Sequence, residues 1–236
     1  TTFITLVNDT LRRLNEVELT STDFPTATGF RAQVKDSVNA SLQEISQKEF
    51  EFPFNYTSAS LTLSSGTAEY SLATDFKIAD WDSFRIAKDD SISADARLLR
   101  LINYDTFIAR FYERDGNATS SDFSNPVYVY RTLSNKAGFS PIPDKAYTVN
   151  YNYFAFANDL VNDTDTMAVP DQFKHVVIDG ALYHTYMFRD NAQQAAITKQ
   201  KFEEGVERMR TLLINRFTDI RDTRVGRLIA VPHGSF

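Results

Sequence analysis

Apolar residues recur at helical spacing near the start of the chain. Phe3, Leu6, Val7, Leu11, Leu14 and Val17 predict one amphipathic helix, with Arg12, Arg13 and Glu16 turned to water. STDFPTATG breaks it. A second helix carries Phe30, Val34, Val38, Leu42 and Ile45 at steps of three or four and is expected to end near Lys48. From Phe50 the period falls to two: Phe50, Phe52, Phe54 and Tyr56 alternate, then Leu61 and Leu63, then Tyr70 and Leu72 after the SSGT turn. SFRIAK, TFIARFYER before the Asp115-Gly116 turn, PVYVYRTL and YTVNYNYFAF read as further strands, the last with Tyr147, Val149, Tyr151 and Tyr153 on one face. ADARLLRLIN fits a short helix or a strand.

After the polar segment NDLVNDTDTMA the helical period returns. Pro170 stands where a first helical residue would, with Asp171 at the positive end of the helix dipole. The stripe of this third helix is Phe173, Val176, Val177, Ala181, His184, Met187 and Phe188, and Gly180 with Ala181 is small enough for a neighbouring helix to come close. Asp190 is expected to cap a fourth helix, with Gln193 in the capping-box position and Ala195, Ala196, Phe202, Val206, Met209 and Leu213 facing inward. Neither helix pair can hide its stripe alone, so the two should pack together. The predicted fold class is α+β: a four-helix bundle built from the two N-terminal and two C-terminal helices, with an inserted antiparallel β-sandwich or barrel and an extended C-terminal arm. The expected divisions are 1–48 and 158–215 for the bundle, 49–157 for the insert and 216–236 for the arm.

Composition narrows the function. A chain of 236 residues buries roughly 70% of its unfolded surface, so a real core is expected. Eleven Tyr and nineteen Phe suit β-structure and protein interfaces. A net charge of -6 argues against general nucleic-acid binding, which depends on Lys and Arg neutralising phosphates. With no cysteine, disulfides, thiolate catalysis and Cys-based zinc sites drop out. The opening TTFITLVNDTLRRLNEVEL has no basic stretch followed by an apolar run, so a signal peptide is not expected, and no later segment is long and apolar enough for a bilayer. The sequons at Asn8, Asn39, Asn55, Asn117 and Asn162 then read as chance matches.

Catalytic and ligand constellations are sparse. His175 and His184 are nine residues apart on one helix and point to opposite faces, so they cannot share a metal; His175 and Asp179 share a face but make only two ligands. No GxSxG, GxGxxG or Walker sequence occurs, and no cofactor is expected. NDTDT at 162–166 resembles the first half of a calcium loop but lacks its glycine and closing glutamate, so a solvated linker is the better reading. The Tyr/Asn-rich strand YTVNYNYFAF admits a sugar-binding face through Tyr151 and Tyr153, or aromatics packed between two sheets. Trp81, in DWDS, reads as a contact anchor or a core lid.

The C-terminal stretch NRFTDIRDTRVGRLIAVPHGSF has no amphipathic period. Phe217, Ile220, Val225, Leu228, Ile229 and Val231 are scattered among Arg216, Arg221, Arg224 and Arg227 as far as Phe236. Arginines that fork onto carboxylates, mixed with apolar side chains, are the composition of an arm that orders on a partner; the alternative is a frayed terminus without a role.

LVNDTLRRLNEV at the start, and VPDQFKHVVIDGALYHTYMFRDNAQQAAITKQKFEEGVERMR further on, resemble the head-to-tail adaptor proteins of short-tailed bacteriophages. This is the tail tubular protein A-like group, also called head-completion or gatekeeper proteins. The shared pattern is a proline-started helix with a Gly-Ala pair at its middle, an aromatic-rich end, an Arg-Asp-Asn turn and an alanine-rich return helix. The resemblance implies a non-enzymatic virion protein at the head-tail junction, assembled in the host cytoplasm as a ring, usually of twelve copies. Its partners would be the portal protein above and the tail nozzle protein or tail fibres below, with no membrane. The residues matching the portal-docking arm are Arg216, Phe217, Ile220, Arg221, Arg224, Arg227, Leu228, Ile229 and Phe236. Chains at -6 each would give such a ring an acidic lumen through which DNA passes without sequence-specific binding. The rival readings are a β-sandwich binding module for a glycan or receptor, and a hydrolase with paired carboxylates on the β region.

Overall fold

The computed structural model describes residues 1–49, 51–87 and 97–214. Four helices form its first layer: α1 (Phe3–Arg13), α2 (Phe30–Lys48), α5 (Lys174–Phe188) and α6 (Ala192–Leu213). The β region lies between α2 and α5 in the chain. It comprises β1 (Tyr56–Leu63), β2 (Glu69–Tyr70), β3 (Phe76–Ile86), β4 (Arg97–Leu98), β5 (Arg100–Leu101), β6 (Tyr128–Arg131), β7 (Ala137–Ser140) and β8 (Tyr147–Ala155), with the short helices α3 (Tyr104–Arg110) and α4 (Tyr112–Gly116) before β6. The fold is α+β, with N- and C-terminal helices on one core and two four-stranded sheets inserted between them.

The helical core gathers α1, α2, α5 and α6 around Leu6, Leu11, Val38, Ile45, Val177 and Phe202, all fully buried. Helix α5 is its axis, in contact with each of the other three. Small residues make this possible. A Cβ at Gly180 would run into Ser41 of α2 and lie 2.8 Å from the ring of Phe202 on α6. One at Gly205 of α6 would lie 2.8 Å from Val176. The three helices therefore approach backbone to side chain, as the Gly-Ala pair in the sequence anticipated.

The sheets run in the orders β1-β8-β3-β4 and β2-β7-β6-β5. Pairing is antiparallel except between β5 and β6, which are parallel. Strand β8 alternates as expected: Tyr147, Val149, Tyr151 and Tyr153 are buried while Thr148 and Asn150 are exposed. One aromatic stack ties the sheets together. Phe84 of β3 lies between Trp81 (centroids 5.2 Å) and Tyr151 (4.9 Å) and meets Phe139 of β7 at 6.4 Å. Trp81, half-buried, is a lid on this core.

Several local expectations change. TFIARFYER is helical, not a strand: Phe107 and Phe111 stand one turn apart, Asp105 lies in the first turn, and Phe107 stacks on Tyr130 at 3.9 Å. Residues 97–101 of ADARLLRLIN are two short strands, and its first three residues lie outside the described ones. Pro53 turns the Phe52–Phe54 alternation into a 3-10 turn, so β1 starts at Tyr56. Helix α1 stops at Arg13 because Asn15 adopts a left-handed conformation (φ 56°), and Val17 is 70% exposed. Pro170 precedes a 3-10 turn, Asp171–Phe173, and α5 starts only at Lys174. The cap of α6 is Asn191, whose Oδ1 accepts from Gln194 N at 3.2 Å, while Asp190 is left-handed at φ 53°. Ala196 faces water. Met187 and Phe188 are 56% and 60% exposed, because α5 has by then run past the bundle.

Candidate docking surfaces

Every residue of the expected arm, from Arg216 to Phe236, lies outside the described residues. What the structure defines is its root. The last turn of α6 is tied to the residue after α2 by Arg210 Nε on Glu49, at 2.9 Å. Leu213 and Ile214 pack against the helical core, while Leu212 turns out and is 72% exposed. The chain thus leaves the bundle from a fixed point at the end nearest the sheets, with an apolar side chain already outside. The sequence pattern treated Leu213 as the end of the buried face, and the structure agrees to within its half-burial.

The other end of the bundle carries a different surface. Val17, Met187 and Phe188 are exposed around Arg189, which pairs with Glu16 and stacks on Phe30 at 3.8 Å. The guanidinium closes this end of the bundle, where α5 stops and the loop after α1 crosses it. Reading Met187 and Phe188 as core had hidden this patch.

The histidines act as structural polar groups. His184 Nε2 lies 3.2 Å from Glu44 of α2, and Glu44 also accepts Lys48, so the pair bridges α5 to α2. His175 is exposed, and Asp179 pairs with Arg13 at 2.9 Å rather than with His175. Among the described residues no group of three His, Cys, Asp or Glu side chains is placed to hold a metal ion. In the NDTDT loop Asp165 turns inward on its own backbone, accepting from Val161 N (2.8 Å) and Asn162 N (2.7 Å). These bonds hold its carboxyl below the usual range. The loop then pins α1, since Phe3 N donates to Asp165 O and Ile4 N to Asp163 O. It is a tether.

Tyr151 and Tyr153 cannot present a sugar-binding face, because both are buried in the sheet core. The Tyr151 hydroxyl accepts from Ala73 N at 2.8 Å. The Tyr153 hydroxyl donates to Asp75 at 2.8 Å, and burial together with this bond pushes its pKa to about 12. The outer face of the same sheet is polar: Tyr56 donates to Asp80 (2.8 Å) and accepts from Asn152 (3.0 Å).

Two asparagines that sequence reading passed over as sequons prove to be clamps. The Asn8 side chain exchanges both its hydrogen bonds with the backbone of Leu19, and the Asn39 side chain does the same with Leu160, tying α2 to the linker after β8. A side-chain amide carries a donor and an acceptor side by side, which this exchange with one peptide requires. No composition signal marks such positions.

Among the described residues no helix is long and apolar enough to cross a membrane. No curated protein matches the chain. Residues 1–228, and so both helix pairs and the sheets inserted between them, fit the SU10 adaptor protein family. The chain belongs to that family of phage head-tail adaptors, whose role is structural rather than enzymatic.

Proposed function

We propose that the protein is one subunit of a ring, of the order of twelve copies, that joins the portal to the tail nozzle of a virion and lets DNA pass through its lumen. The family match over residues 1–228 carries this reading. Residues 216–236 act as the portal-docking arm, through Arg216, Arg221, Arg224 and Arg227 and the apolar residues between them. The pinned root at Arg210 and Glu49 supports that role, because an arm anchored at a fixed point loses less freedom on binding than one hung from a frayed helix. The β region faces the nozzle or the tail fibres. The chain's net charge of -6 keeps each subunit from adhering to the passing phosphates.

The test is sedimentation of the purified protein with the portal ring of its own virus. Saturable co-sedimentation at the portal's symmetry is expected, and a variant lacking 216–236 should keep its circular dichroism but stay at the meniscus. Binding that survives the truncation would remove the arm from the interface. No binding by the full chain would remove the portal as partner.

A further inference from the structure

The bonds of β8 reveal which backbone groups of β1 are free. Asn152 N of β8 donates to Ser83 Oγ of β3 at 2.8 Å, and Phe156 N, just past β8, donates to Asp75 O at 2.8 Å. Even-numbered residues of β8 therefore bond towards β3, and the odd-numbered Val149, Tyr151 and Tyr153 bond towards β1, where they face Leu61, Ala59 and Thr57. Tyr56, Ser58, Ser60 and Thr62 are left with their N–H and C=O groups turned to the open side of β1, and all four are exposed. No described strand lies on that side. The segment YTSASLTL carries no charge and no proline, and its register on β8 has no bulge. Its inward residues Ala59 and Leu61 are half-buried at the rim of the sheet core. The other described edges are blunted. Between Asp80, opposite Asn152, and Arg85, opposite Asn150, four residues of β3 stand against one of β8, and this bulge, with Lys77, Asp80, Asp82 and Arg85, guards that edge. Strands β2, β4 and β5 are two residues long. Among the described residues β1 is thus the long edge without such protection.

We propose that β1 is a docking edge that takes an extended segment of the tail nozzle protein as a further strand of the sheet. Donors and acceptors alternating at strand spacing are matched along their length by another extended backbone. A second copy of this chain is the poorer match. Among the described residues its one edge of equal length is β1 itself, and β1 on β1 is a two-fold contact, which closes as a pair and does not propagate around a ring. The occupant is therefore a strand of a different protein. Its inward residues, lying beside Ala59 and Leu61, are apolar, and those beside Ser58 and Ser60 are small or polar. With no charge on β1, the main chain carries the affinity and the side chains the register. This rests on the reading that the β region faces the nozzle, and adds the strand that makes the contact.

The probe is the purified nozzle protein of the same virus, and the readout is amide hydrogen exchange of the full chain. In the free subunit Ser58, Ser60 and Thr62 should exchange fast, while Thr57, Ala59 and Leu61, bonded to β8, exchange slowly. Excess nozzle protein should slow the three outward amides by about tenfold or more and erase the alternation. Ser58→Pro with Ser60→Pro removes two outward donors and no bond to β8, and should weaken nozzle binding by about tenfold or more. Ser58→Lys with Ser60→Lys keeps every backbone donor and charges the edge, so it should weaken binding even where the prolines cost the fold. Outward amides already slow in the free subunit would overturn the proposal: protection that falls on dilution assigns the edge to a second copy, and protection that does not assigns it to the chain's own residues. Nozzle binding that leaves these amides fast, or that resists both double variants, would remove β1 from the contact. No nozzle binding at all would remove the nozzle as occupant. Portal co-sedimentation is measured without nozzle protein, so the two readings fail separately.

Discussion

Replacing Gly180 by Ala tests the packing of the helical core at its tightest point. Gly180 is helical and mid-element, so on propensity alone the change should stabilise by about 1 kcal/mol. The surroundings oppose this. The added methyl would sit 2.8 Å from two ring carbons of Phe202, which is fully buried, and would collide with Ser41 Oγ, which donates to Val177 O at 2.9 Å. Forcing a methyl into a filled core costs about 1–3 kcal/mol. Displacing the serine forfeits a buried hydrogen bond, about 1 kcal/mol more. The net expectation is a loss of about 1–3 kcal/mol, read as a lower urea midpoint at unchanged slope by far-ultraviolet circular dichroism, or as a fall in Tm of about 2–10 °C for a chain of this size. Phe202→Leu in the same background should return part of the loss, because it removes the ring edge the methyl strikes, and the double-mutant cycle should show a coupling of about 1 kcal/mol. A Gly180→Ala protein as stable as the parent or more so would refute the reasoning, since the propensity gain would then stand unopposed and α5 could not lie so close to α2 and α6.

Tyr151→Phe should cost about 1–2 kcal/mol, because Ala73 N loses its acceptor while the ring stack on Phe84 is kept; equal stability in urea would show that the amide finds water instead. Asn191→Ala should cost about 1 kcal/mol, whereas Asp190→Gly should be neutral or stabilising, since it relieves a left-handed non-glycine residue; the reverse order would move the cap of α6 back to Asp190. Asp165 has a folded pKa below its ordinary value of 3.8, so its contribution is complete above that value and lost as pH falls through the folded pKa. Asp165→Asn should therefore flatten the acid side of the stability profile, measured by urea midpoints from about pH 5 to about pH 2. An unchanged acid slope would mean that the loop bonds do not distinguish folded from unfolded chain.

The parts of the fold most legible in the sequence were those with a long single period. The stripe Val34, Val38, Leu42 and Ile45 of α2 and the inner face of β8 follow their patterns, because one face of each is buried along its length, but Ser37, Ser41 and Ser46, which the pattern put on the polar face of α2, are buried too. TFIARFYER was misread because Phe107, Ala109 and Phe111 alternate while Phe107, Ile108, Phe111 and Tyr112 also recur at i, i+1, i+4 and i+5, and the stack of Phe107 on Tyr130, twenty-three positions on, buries the helical face. Met187 and Phe188 continue the stripe of α5 perfectly well. What strips them of cover is the length of the neighbouring elements, which no pattern within α5 encodes. The cap of α6 moved by one residue for a similar reason: Asp and Asn both cap, and only the left-handed backbone at Asp190 chooses between them. The end of α6 at Leu213 was legible as the point where periodicity ends.

Two of the exposed apolar features among the described residues of the bundle lie at opposite ends of it. Leu212 and the arm's root are beside Glu49, at the end where α2 hands the chain to the sheets. Met187, Phe188 and Val17 are at the other end, where α5 turns into α6. Helix α5, fifteen residues long, separates them by about 22 Å along its axis. One rigid partner approaching one end therefore leaves the other uncovered, and exposed aliphatic and aromatic side chains grouped around an ion pair are costly to leave in water. A subunit that served as a single-sided binding module would need only one such surface. Two, held apart by a helix packed closely through Gly180 and Gly205, fit the proposed role of a connector between different structures. On the proposed reading, the packed core fixes the spacing between these two surfaces, so partners that engage both are held at a set distance.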